Sequence, residues 1–260
     1  MGHCLAVDTL DDASSVWRVV GSSVPGDAHI HQARPNDDAW GQRALPNQTL
    51  VLAVADGAGS ASRAHLGSRS AVEESILSAS KLLGARDTIS YENVRPLGEA
   101  IVSQTSAALA RLAENLEVPI RELATTLLVC IVQPFGVTII QIGDGCVVLE
   151  HPSGRLTMPV WPHDGEYINE TTFITERDSA ARATYLYLRY IPKAIALMTD
   201  GVEPVALDYA HRCPFRPFFT RLFSYARDRN SSPQALESLL SSARMSEYSS
   251  DDKTIVLAVR

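Results

Sequence analysis

The stretch Leu50-Val-Leu-Ala-Val-Ala-Asp56-Gly57 is a run of six apolar residues that ends in an aspartate followed by a glycine. Because the run is bounded and too short for a helix, it predicts a buried β-strand at residues 49–55. The pattern recurs at Asp200-Gly201 and, reversed, at Asp251, which precedes the last apolar run. A carboxylate at a strand end, beside a glycine that allows a sharp turn, is held rigidly next to a cleft. Together the three aspartates predict a site for hard cations, although each alone is also typical of an ordinary Asp-Gly turn.

The composition describes a chain that can bury a sizeable core and is acidic. It has 260 residues, of which 45% are hydrophobic and 20% charged, and a formal net charge of -7. No linker-like stretch divides it and no repeat is visible, so we predict a single domain over residues 1–260, with 1–16 as a loosely ordered N-terminal segment. The acidic balance and the absence of a Lys/Arg-rich stripe argue against nucleic acid or an anionic membrane as partner.

The termini and the cysteines indicate the cellular compartment. The first residues lack a signal-peptide pattern, and no stretch reaches the roughly 18 apolar residues that span a bilayer, so we predict a soluble cytoplasmic protein. The cysteines form no C-x-x-C pair, which favours reduced, buried thiols. They are Cys4, Cys130, Cys146 and Cys213.

Hydrophobic spacing predicts an α+β fold in which antiparallel strands and helices come in blocks. Long helices are expected at 64–83 and 94–115, and Ser232-Pro233 marks the start of a helix at 234–243. Residues 211–223 combine arginines with phenylalanines and favour a helix pair packed on a sheet, with a peptide-contacting flap as the alternative. Three β-branched segments joined by short turns predict an antiparallel meander; they are 125–132, 136–142 and 146–150. Further strands are expected at 16–22, 38–45, 171–175, 185–190, 195–199 and 254–259, the last completing the sheet of the first half.

Six short motifs follow one another along the chain. They are Asp37-Asp38-Ala39, Val54-Ala-Asp56-Gly-Ala-Gly-Ser60, Thr125-Thr126, Ile142-Gly-Asp144-Gly145, Thr199-Asp200-Gly201 and Asp251-Asp252-Lys-Thr254. In this order they resemble the PPM-type (type 2C) metal-dependent serine/threonine protein phosphatases, and more closely their compact bacterial branch. The resemblance spans about residues 17 to 260. No single motif is decisive, but six in the same order are specific.

The resemblance implies a four-layer α-β-β-α sandwich, in which two antiparallel sheets are flanked by helices and the metals lie at one end. It implies two Mn²⁺ or Mg²⁺ ions that share Asp56, with the Gly57 carbonyl as a ligand of one of them. A set of oxygen ligands without histidine or cysteine fits these ions better than zinc. Two ions that share a carboxylate also lower the pKa of a bridging water, which would then attack the phosphomonoester.

The resemblance assigns the remaining acidic positions as well. Asp200 and Asp251 would hold the second ion. Asp38 would bind or orient metal-bound water and, with Asp56, would count as catalytic, while Asp37 is a further and weaker candidate ligand. Asp144 would hold a third, weaker ion, although a hairpin turn explains Gly143-Asp144-Gly145 equally well.

The chain departs from the family pattern in three places. Many members carry a histidine two residues after the bridging aspartate, as a general acid for the leaving alkoxide, where this chain has Ala58. Arg34 is one place out of register with the family's phosphate-binding arginine; it or Arg63 could reach phosphate, but a solvated surface arginine is the more ordinary interpretation of each. Asp252 stands where asparagine is frequent. The nearest histidines in the sequence are His29, His31 and His65, and none is assigned as the acid.

The leading hypothesis is metal-dependent hydrolysis of phosphoserine and phosphothreonine in proteins, substrates of a bacterial serine/threonine kinase. The alternative, motivated by Ala58 and the displaced Arg34, is a catalytically weak phosphatase-like module that regulates or binds phosphoproteins. A phosphotransferase with an aspartate nucleophile is less favoured, because it would want a second carboxylate where Ala58 stands. No motif specifies the substrate or the oligomeric state.

Overall fold

The computed structural model describes residues 17–84, 88–162 and 171–260, so the predicted N-terminal segment and Cys4 lie outside the described residues. Most strands in these ranges belong to two five-stranded antiparallel sheets. The strands are β1 (Arg18–Val24), β2 (Ala39–Leu45), β3 (Thr49–Ala55), β4 (Leu127–Gln133), β5 (Gly136–Ile142), β6 (Cys146–Glu150), β7 (Leu156–Thr157), β8 (Thr184–Leu188), β9 (Ala194–Met198), β10 (Leu207–Asp208), β11 (Cys213–Pro214) and β12 (Lys253–Val259). The α-helices are α1 (Asp27–His31), α2 (Ala64–Gly84), α3 (Val94–Asn115), α4 (Ser179–Arg182), α5 (Glu203–Ala206), α6 (Arg216–Arg227), α7 (Pro233–Leu240) and α8 (Ala243–Ser246), with 3₁₀ turns at Ile120–Leu123 and Asp200–Val202.

The two sheets form the middle layers of the sandwich that the resemblance implies. Their strand orders are β1-β12-β9-β6-β7 and β2-β3-β4-β5-β8. Helices α2 and α3 pack on the outer face of the β2–β8 sheet, and α6 and α7 pack on the outer face of the other. The expected fold class, two antiparallel sheets flanked by helices, is confirmed.

Strand β3 shows why such strands are apolar along their whole length. Val51 and Ala53 pack beneath the helices, whereas Leu50 and Leu52 pack between the sheets. Successive side chains of a strand point to opposite faces, and here both faces are covered. The continuous apolar run of residues 50–55 therefore follows from the position of β3 inside the four layers.

Strand β6 shows that the predicted three-strand meander is wrong. Strands β4 and β5 pair as predicted, but β6 leaves their sheet and pairs with β9, with Cys146 opposite Met198. The connection passes through Gly143, whose φ of +90° turns the chain across the sandwich, so 143–145 is not a hairpin turn. Because β6 is buried on both faces, its apolar run carries no information about which sheet it joins.

The predicted strand at 171–175 is also wrong. These residues form a loop and a turn in which the Ile174 N–H donates to the Thr125 carbonyl at 2.9 Å and the Phe173 N–H donates to the Glu176 carboxylate at 2.9 Å. These two backbone N–H groups thus donate to a loop carbonyl and to a side chain, and not to a neighbouring strand. The strand expected at 185–190 is confirmed as β8, and the long helices at 64–83 and 94–115 as α2 and α3.

In the region 211–223, residues 216–223 belong to one helix, α6, and 213–214 to strand β11, so the expected packing of a helix on the sheet is found but the helix pair is not. Phe219 and Phe223 of α6 are buried in the apolar layer under the β1–β7 sheet. Cys130 and Cys146 are buried as predicted, but Cys213 is exposed, because it lies on the short β10–β11 ribbon with Pro214 as the inward residue. Among the helices of the described ranges, none has the length and hydropathy that crossing a membrane requires.

Candidate metal centre

Four aspartates lie at adjoining strand ends, at one end of the stacked sheets. Asp38 directly precedes β2 and Asp56 directly follows its partner β3, while Asp200 follows β9 and Asp251 precedes its partner β12. Burial raises the pKa of Asp56 well above its usual range, and the nearby charges of Asp38, Asp200 and Asp251 raise it further. The structure thus brings together four of the predicted positions, here called the four-aspartate cluster.

The turn that carries Asp56 is fixed by the Thr125-Thr126 motif. The Asp56 N–H donates to Thr126 Oγ1 at 3.0 Å, and the Asp56 carbonyl accepts from the Thr126 N–H and the Thr125 hydroxyl, both at 2.8 Å. The next residue, Gly57, donates its N–H to the Asp37 carbonyl at 3.1 Å. These bonds hold the backbone of Asp56, so its carboxylate is presented from a rigid support.

Asp38 is held by Thr199, a residue that the motif Thr199-Asp200-Gly201 contains but to which no role was assigned. Thr199 Oγ1 donates to Asp38 Oδ2 at 2.7 Å and accepts from the Thr254 N–H at 3.1 Å, which joins both sheets. Asp38 is 5% exposed, and burial raises its pKa against the opposing effect of the threonine hydrogen bonds. Its second oxygen, Oδ1, is buried and accepts no hydrogen bond from any residue that the structure describes.

Asp200 is similarly under-satisfied. Burial raises its pKa to about 6, the charges of Asp144 and Asp251 contribute, and a hydrogen bond with Asp56 acts in the opposite direction. Within the described ranges, Asp200 Oδ1 is buried without a hydrogen-bond donor. The adjoining Gly201 has no room for a side chain, because a Cβ there would overlap the Asp252 carbonyl oxygen. The glycine in this motif therefore permits β9 and β12 to deliver their aspartates side by side.

A cavity of about 210 Å³ opens beside Asp200 and Asp251. One wall contains Glu203, which is 4% exposed and lies with Oε1 2.7 Å from Cys146 Sγ, while the Tyr209 hydroxyl donates to Oε2 at 3.0 Å. Burial is the main cause that raises the pKa of Glu203. Sequence reasoning missed this carboxylate; its position in the turn after Asp200 was the available signal. The cavity is lined by Asp200, Gly201, Glu203, Pro204, Tyr209, Ser249 and Asp251.

Asp144 lies on the β5–β6 crossover, near the four-aspartate cluster. Its Oδ2 accepts from the Thr171 hydroxyl at 3.0 Å, and its charge raises the pKa values of Asp200 and Glu203. It is thus close enough to Asp200 to act on it electrostatically, as a neighbouring ligand position would.

Asp37 lies in a different group. Its Oδ2 accepts from Arg34 Nη2 at 2.9 Å and lies 3.6 Å from His29 Nε2, and His65 Nδ1 lies 3.8 Å from its Oδ1. Burial raises the pKa of Asp37, while His29, Arg34 and His65 lower it in part. Arg34 Nη1 also donates to the Gly59 carbonyl at 3.3 Å, so its guanidinium lies beside the glycine-rich turn after Asp56.

His29, Asp37 and Asp252 form a compact buried unit, here called the His29 group, whose ligand-type atoms lie within 4.8 Å of one another. Asp252 accepts three N–H donors there, from the Gly26 and Asp37 backbones and from the His29 ring. This unit lies next to the four-aspartate cluster in the chain, because Asp37 adjoins Asp38 and Asp252 adjoins Asp251.

The chemistry of the four-aspartate cluster fits a hard divalent cation. Burial and neighbouring carboxylates raise the pKa values of Asp38 and Asp56, and buried oxygens of Asp38 and Asp200 lack donors, which is costly without a positive partner. All the side chains of the cluster offer oxygen, which suits Mg²⁺ or Mn²⁺. The fold and this site define a class of protein: a two-sheet sandwich with an oxygen-lined candidate cation site at one end.

Comparison with known proteins narrows the class to one family. Residues 25–241 match the family model described as Protein phosphatase 2C. Serine/threonine-protein phosphatase 3 of Escherichia coli (strain K12) is 34% identical over 257 residues, covering 94% of this chain and 98% of that protein. The chain therefore belongs to the protein phosphatase 2C family of serine/threonine phosphatases.

Solved structures share the fold at lower identity. The serine/threonine phosphatase Stp1 of Staphylococcus aureus superposes with a TM-score of 0.64 at 15% identity, over 93% of this chain and 94% of that one. The catalytic domain of the phosphatase PstP, solved in complex with two manganese ions, has a TM-score of 0.59 at 18% identity, over 94% of this chain and 97% of that one.

Proposed function

We propose that this protein hydrolyses phosphoserine and phosphothreonine in protein substrates with two Mn²⁺ or Mg²⁺ ions bound at the four-aspartate cluster. The observation that carries the proposal is the pair of buried, donor-free oxygens, Asp38 Oδ1 and Asp200 Oδ1, among carboxylates that raise the pKa of Asp56. Family membership supports the reaction type, since the matched model describes a protein phosphatase.

The ligand roles in this proposal are those that the family resemblance implies, and the positions of the residues at adjoining strand ends support them. Asp56 would be shared by the two ions, and the Gly57 carbonyl would be a ligand of one of them. Asp200 and Asp251, whose side chains line the cavity, would hold the other ion. Asp38 would bind or orient metal-bound water, and Asp144 would be the candidate for a third, weaker ion. Asp37 is the least favoured ligand, because Arg34 and His29 already face its carboxylate.

When bound, the two ions supply a water of lowered pKa and neutralise charge on the phosphoryl group. The residues of the chain provide the positioning. Thr199 fixes the orientation of Asp38, and Thr125 with Thr126 fixes the backbone of Asp56. Arg34, which donates to Asp37 and to the Gly59 carbonyl, would be the candidate to bind a phosphate oxygen. Ala58 offers no proton, so a different acid or water would protonate the leaving alkoxide.

The substrates in this proposal are phosphorylated proteins, products of a bacterial serine/threonine kinase, and the reaction takes place in the cytoplasm. The relatives named above are phosphatases of the same class, which supports this substrate type. We propose no membrane or nucleic-acid partner, because the net charge of -7 disfavours both surfaces.

The test is turnover of an aryl phosphate and of a phosphothreonine peptide with Mn²⁺. We expect chelation to abolish turnover and Asp56→Asn to reduce it by about 100-fold or more, since even outer partners of metal ligands cost about 10–100-fold. The matched control is Asp228→Asn, an exposed aspartate that accepts a backbone N–H from Asn230. Turnover that survives chelation or Asp56→Asn would refute the two-ion proposal. Phosphopeptide binding without turnover on a panel would instead favour the regulatory module.

A further inference from the structure

In each of two aspartate pairs, Asp37-Asp38 and Asp251-Asp252, the two carboxylates lie in different groups of residues. Asp38 and Asp251 belong to the four-aspartate cluster, whereas Asp37 and Asp252 belong to the His29 group. Adjacent side chains of an extended segment point to opposite sides, which accounts for the division. The His29 group therefore touches both segments that carry cluster ligands.

The Asp252 carboxylate is the centre of the His29 group. It is 3% exposed, and its Oδ1 accepts from the Gly26 N–H at 2.7 Å while its Oδ2 accepts from the Asp37 N–H at 2.6 Å. His29 Nδ1 lies 2.8 Å from both oxygens. The Gly26 and Asp37 N–H groups can only donate, and in its Nδ1–H tautomer the His29 ring donates as well. Three N–H donors therefore converge on one buried anion.

These contacts connect three separate parts of the chain. The Asp37 N–H belongs to the residue before Asp38, Asp252 is the residue after Asp251, and His29 and Gly26 belong to α1 and its entry. The Ala28 N–H adds a bond to the Ser250 carbonyl at 3.1 Å. The geometry fixes the distance between the segment before β2 and the segment before β12, and hence between Asp38 and Asp251.

We propose that Asp252 and His29 are positioning residues that set the spacing of Asp38 and Asp251 for the ions of the proposed function. Neither touches the ions or the substrate. A third cation within the His29 group is the competing interpretation, but both Asp252 oxygens and the His29 Nδ1 are already committed to N–H···O bonds. Charge-assisted bonds of this kind are short and directional, which suits them to positioning.

Two substitutions separate the hydrogen bonds from side-chain volume. Asp252→Asn keeps the shape but turns an NH₂ group toward the Gly26 or the Asp37 N–H, so one donor meets another. His29→Leu keeps bulk without a donor, and His29→Asn restores a donor near the position of Nδ1. Asp228→Asn again serves as the surface control, because its carboxylate accepts a backbone N–H outside both groups.

The primary measurement is Mn²⁺ binding to the metal-free proteins, by calorimetry and by the electron paramagnetic resonance of free Mn²⁺. We expect Asp252→Asn and His29→Leu to weaken Mn²⁺ binding about 10–100-fold with unchanged stoichiometry, as outer partners of metal ligands do. His29→Asn should recover most of the affinity. Turnover at saturating Mn²⁺ should fall much less than affinity does, and circular dichroism checks that each variant is folded.

Two results for the folded variants would overturn the inference. Wild-type Mn²⁺ affinity in folded Asp252→Asn and His29→Leu would mean that the His29 group is only structural. Loss of one bound ion would mean that it is a cation site. Should Asp252→Asn fail to fold, the comparison of His29→Leu with His29→Asn decides. The inference rests on the metal site of the proposed function. Failure of that site is distinguishable from failure of the inference, because the wild-type protein itself would then bind no Mn²⁺.

Discussion

At the scale of single residues, the four-aspartate cluster is a region where the folded protein disfavours the charge that function requires. Burial raises the pKa of Asp200 from 3.8 to about 6, with further contributions from Asp144 and Asp251. Asp38 and Asp56 shift in the same direction, mainly because they are buried. The metal-free cluster is therefore a local source of instability, which bound cations would remove.

The pH dependence of Asp200→Asn tests this electrostatic cost in metal-free protein. Because the pKa of Asp200 is higher in the folded state than in the unfolded state, ionising Asp200 destabilises the fold. This cost is absent at low pH and complete above the folded pKa of about 6. We expect the variant to match wild-type stability near pH 4 and to be more stable near pH 7.5, by up to about 3 kcal/mol. Urea unfolding at several pH values measures the difference, and excess Mn²⁺ should reverse its sign. A difference independent of pH would contradict the assigned cause.

The division of adjacent aspartates marks the limit of sequence reasoning at this scale. That Asp56 and Asp200 end buried strands is readable, because apolar runs and Asp-Gly steps are local signals. Which member of Asp37-Asp38 faces the cluster is not local, since it depends on His29 from another element. Thr199 was missed for the same reason, because its partner is 161 positions away.

At the scale of elements, helices and strands were predictable where buried residues recur at a regular spacing along the sequence. The crossover to β6 was not predictable. Helix α2 was expected at 64–83 and is found at Ala64–Gly84, because one face packs on β2 and β3. Strand β6 is buried on both faces, so its sequence is compatible with either sheet. Pairing with β9 decides which sheet β6 joins, and the local sequence of β6 does not encode that pairing.

The packing of α2 on the 3₁₀ turn at Ile120–Leu123 gives a prediction at this scale. A Cβ at Gly67 would overlap the Leu123 carbonyl oxygen, so Gly67→Ala must separate the helix from the segment that leads to Thr125-Thr126. We expect a loss of about 1–3 kcal/mol in the free energy of unfolding. The matched control is Gly84→Ala on the same helix, where nothing lies within 4 Å and alanine should be neutral or stabilising. Equal stability of the two variants, measured by denaturant unfolding, would contradict the close approach.

At the scale of the whole molecule, the apolar layer between the sheets joins the two halves. Leu52 and Cys130 of one sheet pack with Val147, Leu197 and Val256 of the other, and all are buried. Neither sheet can lose this layer without exposing the inner face of its partner. The predicted single domain accordingly requires that the outer layers unfold together.

Truncation of one outer layer at a time tests this coupling. We expect Ile101→Ala, in α3, and Phe223→Ala, in α6, each to cost about 2–5 kcal/mol and to lower one shared unfolding midpoint. Far-ultraviolet circular dichroism and tryptophan fluorescence should give coincident curves for both variants. A variant that shifts one of two separate transitions would show that the halves unfold independently.

The position of β12 has a consequence for synthesis on the ribosome. Residues 253–259 form a central strand, between β1 and β9, although they follow every other element of their sheet in the chain. A nascent chain grows from its N terminus at roughly 5–20 residues per second, so β1 must wait without its partner while the rest is made. Asp251 arrives with the same strand. The growing chain consequently has no complete four-aspartate cluster until its sheet can close, and under the proposed function an unfinished copy would be inactive.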